Sequence, residues 1–300
     1  MWVKQHQLLG HSGAIYAIGK GYLDNTILTG GADQVLVQWH TETAAAGKVI
    51  AKAAGTIYCI KVIDALPYIL MGTATGDLHI INYAQNKEVK LLRYHQNGVY
   101  DVVAYQPLQL MLIAGGDGLL SVCNIEGQLI KQVKIAPHKL RYIAIHPAQD
   151  VAYIGCGNGH LVSFDLQHLQ VIADLPIHRT NWSCNTIAFI NDNQIITGGR
   201  DAMLHITDVQ SMQIQKSIAA HNYAIYDMVF NADKSLMATA SRDKSIKIWD
   251  TQTWHVLHKL SLDKTEGHKN SVNKIYWHTG LNKIISVSDD KSIIIWQQQL

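Results

Sequence analysis

The chain has 300 residues, 48% hydrophobic and 16% charged, which excludes an intrinsically disordered chain and leaves enough length to bury a core without disulfides or metals. Twenty-five basic against 23 acidic residues give a net charge of +2, so no nucleic-acid footprint and no strongly charged partner is implied. No apolar run spans a membrane, Met1–His6 lacks an apolar signal segment, and Cys59, Cys123, Cys156 and Cys184 show no CxxC spacing, so a reducing, cytoplasmic location is expected.

In chain order, Trp2–Leu8 reads as a strand ahead of Gly10-His11. A pattern then recurs in which a turn residue leads, six places on, to a fixed position. Asp33 leads to Trp39, Thr75 to Ile81, Asp117 to Cys123, Asn158 to Phe164, Asp201 to Thr207, Asp243 to Trp249 and Asp290 to Trp296. The steps between the second members are 42, 42, 41, 43, 42 and 47, so seven units cover the chain. Each unit reads as four short strands. In the sixth these are 224–230, 235–240, 245–250 and 255–260, with turns at Asn231–Lys234 and Ser241–Lys244. Pro67, Pro107 and Pro147 fall between first and second strands, where proline removes no central ladder bond. No segment has helical periodicity, and the longest step adds a loop at Thr265–Asn270. A single domain over residues 1–300 is expected.

Gly10-His11…Trp39-His40, His221…Trp249-Asp250 and Gly267-His268…Trp296-Gln297 carry a likeness: the chain resembles the WD-repeat β-propeller family. The resemblance implies an all-β, seven-bladed β-propeller of four-stranded antiparallel blades, closed when the N-terminal strand joins the last blade. It also implies a hydrogen-bonded set of His, Ser or Thr, Asp and Trp in a blade. Three units hold the full set: His11–Thr29–Asp33–Trp39, His221–Thr239–Asp243–Trp249 and His268–Ser286–Asp290–Trp296. The fifth unit offers His178, Thr197 and Asp201 with Thr207, the third His95 and Asp117 with Cys123, the fourth His138, Asn158 and Phe164, and the second Thr75 alone. Serine or threonine, histidine and aspartate also make a catalytic triad, but threefold repetition favours a structural role. The stretch 42–165, poorest in these sets, is expected to be the less stable part.

Tyr16, Tyr58, Tyr100, Tyr142 and Tyr226 share one position in the first strands, with Asn185 and Asn273 standing in for the fifth and seventh units. The resemblance places this position at the top rim of a central channel, where a partner's peptide segment docks. Aromatic faces attract cations, so a cationic side chain is the first ligand expected; tyrosines that merely fill the mouth are the alternative. Ala32, Ala74, Gly116, Gly157, Arg200, Arg242 and Asp289 would face the same side, and Arg200 and Arg242 suit a carboxylate or phosphate instead, so the ligand's charge stays open. Asp101 and Asp227 point to the opposite strand face and read as structural. No metalloprotease, P-loop or nucleophile-elbow motif occurs, and His255 and His258 face opposite sides of a strand. The expectation is a non-catalytic scaffold that binds a protein or peptide and serves as a subunit of a larger complex, with no cofactor, metal, nucleic acid or membrane. The rival is a small-molecule sensor or enzyme using the channel mouth.

Overall fold

Short β-branched and aromatic runs, broken every few residues by Gly, Asn and Asp, favour strands over helices. The computed structural model, which describes residues 1–299, is strand nearly throughout. After β1 (Trp2–Leu8), the first blade comprises β2 (Ile15–Lys20), β3 (Thr26–Gly31), β4 (Val35–His40) and β5 (Lys48–Lys52). The second has β6 (Ile57–Ile63), β7 (Tyr68–Thr73), β8 (Leu78–Asn82) and β9 (Lys87–Leu92). The third has β10 (Val99–Tyr105), β11 (Leu110–Gly115), β12 (Leu119–Asn124) and β13 (Leu129–Lys134). The fourth has β14 (Leu140–Ile145), β15 (Val151–Cys156), β16 (His160–Asp165) and β17 (Gln170–Pro176). The fifth has β18 (Cys184–Asn191), β19 (Gln194–Gly199), β20 (Met203–Asp208) and β21 (Ile214–Ala219). The sixth has β22 (Ile225–Phe230), β23 (Leu236–Ser241), β24 (Ile246–Asp250) and β25 (Val256–Leu260). The seventh has β26 (Val272–His278), β27 (Lys283–Ser288) and β28 (Ile293–Gln298).

Six sheets run in sequence order, and the seventh runs β1-β28-β27-β26, so the N-terminal strand completes the last blade. The fold is a seven-bladed β-propeller of four-stranded antiparallel sheets. The turn between second and third strands closes alike in all seven blades. Gln34, Gly76, Gly118, Gly159, Ala202, Lys244 and Lys291 follow the turn residue with positive φ. The glycines among them supply that conformation without a Cβ penalty, which marks these Gly-rich stretches as hairpins. A single helical turn, α1 (Leu262–Thr265), sits in the extra loop before the seventh blade.

The chain resolves into two compact units, Met1–Val62 with the stretch from Asn222 onward, and Ile63–His221. In the first, Leu8, Ile15, Ile27 and Trp39 pack with Ile285, Val287, Ile293 and Ile295. Trp2 joins a second cluster with Ile248, Ile275 and Trp296, its ring edge-on to Trp277 at 5.5 Å. In the second unit, Leu112, Leu120, Leu140, Ile154 and Phe164 form one core, and Leu161, Cys184, Ile187 and Phe189 another. Each such side chain contributes about 1.5–3 kcal/mol by leaving water.

Candidate interaction surface

The polar sets form as hydrogen-bonded joints inside the blades. Asp33 accepts from His11 Nδ1 at 2.7 Å, His11 Nε2 meets the Thr29 hydroxyl at 2.8 Å, and the Trp39 indole donates to the same oxygen at 2.8 Å. The seventh blade repeats this: His268 Nδ1 to Asp290 at 3.0 Å, Nε2 to Ser286 at 2.8 Å, and Trp296 to Ser286 at 2.9 Å. In the sixth, Trp249 donates to Thr239 at 2.9 Å. The hydroxyl a triad would use as nucleophile is buried in each case, and in the first and seventh blades it already holds two partners.

The incomplete units differ from the expectation in instructive ways. In the third, Ile113 stands where the hydroxyl would be, but Ser121 of β12 supplies one, 3.0 Å from His95 Nε2, while Asp117 lies 3.0 Å from Nδ1. In the fourth, the histidine position belongs to Ala136 rather than His138. The Ala136 backbone N–H bonds to Gly118, as those of His178 and His221 bond to Gly159 and Ala202. His138 lies two residues on, exposed. In the fifth, His178 meets Asp201 at 3.0 Å and Thr197 at 3.1 Å, and His205 sits edge-on to it at 4.8 Å.

His178, Asp201 and His205 bring donor atoms within 4.8 Å of one another, the one such three-donor group among the described residues. Bonds within the blade account for these donors, including His205 Nδ1 to Ser217 at 2.8 Å. Burial drives the His178 pKa down against the pull of Asp201. Burial alone would raise Asp201, but hydrogen bonds from His178 and His205 outweigh it and hold the carboxyl far below its usual range. The four cysteines are free and buried, and burial pushes Cys123 and Cys156 up to about 12, so neither is a thiolate nucleophile at neutral pH.

The position shared by the first strands is defined by a β-bulge. At the start of β2, β10, β14, β18, β22 and β26 the ladder skips one residue, and those residues are Tyr16, Tyr100, Arg141, Asn185, Tyr226 and Asn273. A bulged residue drops out of the ladder register and its side chain is re-aimed. Backbone bonds pin each bulge from two residues ahead: Ala32 to Ala14, Gly116 to Gly98, Gly157 to Lys139, Arg200 to Ser183, Arg242 to Ala224 and Asp289 to Ser271. The structure therefore puts Arg141, not Tyr142, in the series. Tyr142 pairs with Gly155 and packs on the cluster containing Tyr153 and Phe189. The fourth unit is one residue short, so counting 42 from Tyr100 overshoots by one. Asp101 accepts from the Ile143 N–H at 2.9 Å and Asp227 from the Ile275 N–H at 3.0 Å, so both tie adjacent first strands together.

In the first unit, the Tyr16 and Tyr58 rings meet edge-on at 6.1 Å. The Asn273 amide donates to Asp289 and to the Ile15 carbonyl, both at 2.8 Å. Burial raises the Tyr16 phenol, and Asp289, Tyr58 and Tyr226 raise it further, so these three lie within electrostatic reach of its hydroxyl. Phenol hydroxyls, ring faces and one carboxylate form a locus suited to a cation. Arg242 is exposed beside its turn.

The second unit has the opposite character. Arg141 and Lys139 both lie over the Tyr100 ring, at 5.0 and 5.4 Å from its centre. Arg179 and Arg200 lie over the exposed Trp182, at 5.2 and 5.9 Å. Partial desolvation lowers the Lys139 pKa, and Arg141 and Arg200 lower it further. Asn185 is buried and accepts from the Ser183 hydroxyl at 2.7 Å. The side chains that sequence reasoning missed are Lys139, Arg141, Arg179 and Trp182; the 41-residue step was the one signal that could have exposed Arg141.

Residues 212–250 and 259–297 match the family model "WD domain, G-beta repeat". Human "WD repeat-containing protein 37" is 23% identical over 251 residues, 80% of this chain and 48% of that protein. "Protein tipD" of Dictyostelium discoideum is 22% identical over 309 residues, 96% of this chain and 48% of that protein. The chain spans under half the length of the first curated relatives it matches. Among solved structures, the WD40 β-propeller domain of Doa1 superposes with a TM-score of 0.87 at 14% identity, covering 100% of this chain and 97% of that one. Repeat period, blade topology and the His–Thr–Trp joints agree with these matches: two stretches of the chain match the WD-repeat model, and the chain has the fold of a WD40 β-propeller.

Proposed function

We propose that the protein is a non-catalytic interaction scaffold whose bulged rim positions receive a segment of a partner protein, as a cytoplasmic subunit of a larger assembly. The observation that carries this reading is the recurrent bulge, which turns half-buried tyrosines and charged side chains out of the ladder at the same place in blade after blade. Amphipathic aromatics and arginine are the residues protein interfaces favour. The buried His–Asp sets are spoken for by internal bonds, which supports a structural rather than catalytic use. Four free, buried cysteines fit a reducing compartment. The test is an array of unmodified peptides probed with the purified chain. Tyr58→Ala should weaken captured peptides on the order of tenfold, the scale of an interface hot spot, with the melting temperature retained. Capture that ignores Tyr16→Ala, Tyr58→Ala and Tyr226→Ala alike would count against the rim.

A further inference from the structure

We propose that the basic patch of the 63–221 unit, Lys139, Arg141, Arg179 and Arg200, binds a phosphorylated side chain presented by a partner protein. This rests on the rim being a docking surface and specifies the chemistry of one part of it. The patch is assembled from the start of β14, the loop before β18 and the turn after β19, and it is held in place by aromatic rings. Arg141 and Lys139 share Tyr100, and Arg179 and Arg200 share Trp182. The Arg179 and Arg200 guanidinium carbons lie 5.2 and 5.9 Å from the Trp182 ring centre, and a guanidinium offers a planar fork of N–H donors that matches an oxyanion. Glycines let the backbone close up against these side chains, Gly116 foremost, where a Cβ would come within 2.0 Å of the Asn97 carbonyl oxygen. A Cβ on Gly116 would come within 2.9 Å of Tyr100 Cε2, and one on Gly157 within 3.1 Å of Lys139 Cγ.

The charge is unbalanced as well as ordered. Among the described residues, the side chains of Lys139, Arg179 and Arg200 form no ion pair with a carboxylate. Burial first, and then Arg141 and Arg200, depress the Lys139 ammonium, so an arriving anion relieves repulsion as well as gaining bonds. A phosphate ester brings nearly two negative charges and three acceptor oxygens, and so answers Lys139, Arg179 and Arg200 better than one carboxylate does. The face of Tyr100, covered by the chain's own cations, suits an anion rather than the cationic side chain the sequence suggested.

The test uses matched arrays of phosphoserine and phosphothreonine peptides and their unphosphorylated twins, with a single-stranded RNA oligonucleotide in parallel. The expected result is capture of phosphorylated peptides only, competed by inorganic phosphate. Arg200→Glu or Lys139→Glu, both at exposed positions, should weaken it roughly tenfold to a hundredfold, the scale for removing a charged hydrogen-bond partner, at unchanged melting temperature. Capture of unphosphorylated peptides that is lost in Tyr58→Ala but not in Arg200→Glu would leave the docking surface standing and overturn the phosphate assignment. Capture on neither array would overturn both. Binding of the RNA alone, lost in Arg200→Glu, would give the patch to nucleic acid and overturn the proposal.

Discussion

Thr29 and Ser286 each hold an imidazole and an indole on one oxygen, and in the third blade Ser121 reaches His95 from the neighbouring strand, where Ile113 leaves the usual place empty of a hydroxyl. The third blade thus keeps its buried bridge by drawing the hydroxyl from a different strand. His178 has a measurable consequence. Its folded pKa lies below the ordinary 6.5, so between the two values the unfolded chain binds the proton and the folded one does not. Stability from this group is complete above about 6.5 and declines as pH falls below it; Asp201, also depressed, adds a further loss below about 3.8. Melting temperature measured from pH 8 to pH 4 should fall from about pH 6.5 downward, and His178→Asn should flatten the upper part of that fall. An identical profile in the variant would reject this assignment. The joints were legible in the sequence because residue type and spacing both repeat. Ala136 and Arg141 were not, because a one-residue deletion shifts the alignment while His138 and Tyr142 happen to offer plausible side chains nearby.

Among the elements, β1 does two tasks. It pairs with β28 from Trp2–Gln298 to Leu8–Ile293, and it buries Trp2 and Leu8 in separate clusters of the first unit. Deleting residues 1–8 uncovers the β28 edge and removes two large buried side chains, about 1.5–3 kcal/mol each before any ladder bond is counted. The melting temperature should drop by on the order of 10 °C, and an unaltered transition would show that β1 is dispensable. The outermost strands meet the edge problem differently. Val49, Val89, Leu129, Val171 and Ile214 are exposed there, and Lys48, Lys52, Lys87, Lys90, Lys131 and Lys216 stand among them, charges that discourage edge-to-edge pairing. The strands themselves were readable from alternation and turn residues. The bulges were not, because an extra unpaired residue leaves no mark in composition.

Over the whole molecule, the unevenness of the polar joints has a location. His79 Nε2, Asn158 Oδ1 and Thr207 Oγ1 are buried without a partner, and all three belong to the 63–221 unit, in the second, fourth and fifth blades. An unsatisfied buried group costs about 1–3 kcal/mol. Amides of these blades should therefore exchange with solvent sooner than those of the first and seventh, where the joints are complete. Uniform protection would contradict this. The sequence expectation drew the weaker stretch as 42–165; the structure moves its far boundary past Thr207 and gives the third blade, with Ser121 in place, firmer footing. The period near 42 made the architecture readable from end to end, since seven copies average out local irregularity. The chemistry of the rim depends on single residues, and single residues have no average.

The bulge separates two properties that a regular strand couples. A paired residue faces a ladder partner on the next strand, whereas a bulged one has none in the ladder and meets its neighbours through its side chain alone, as Asn273 does. Tyrosine, arginine and asparagine already interchange at this place without altering the ladder. The scaffold can thus be respecified for a new partner by single substitutions at these addresses, a route open to evolution and to the engineer alike.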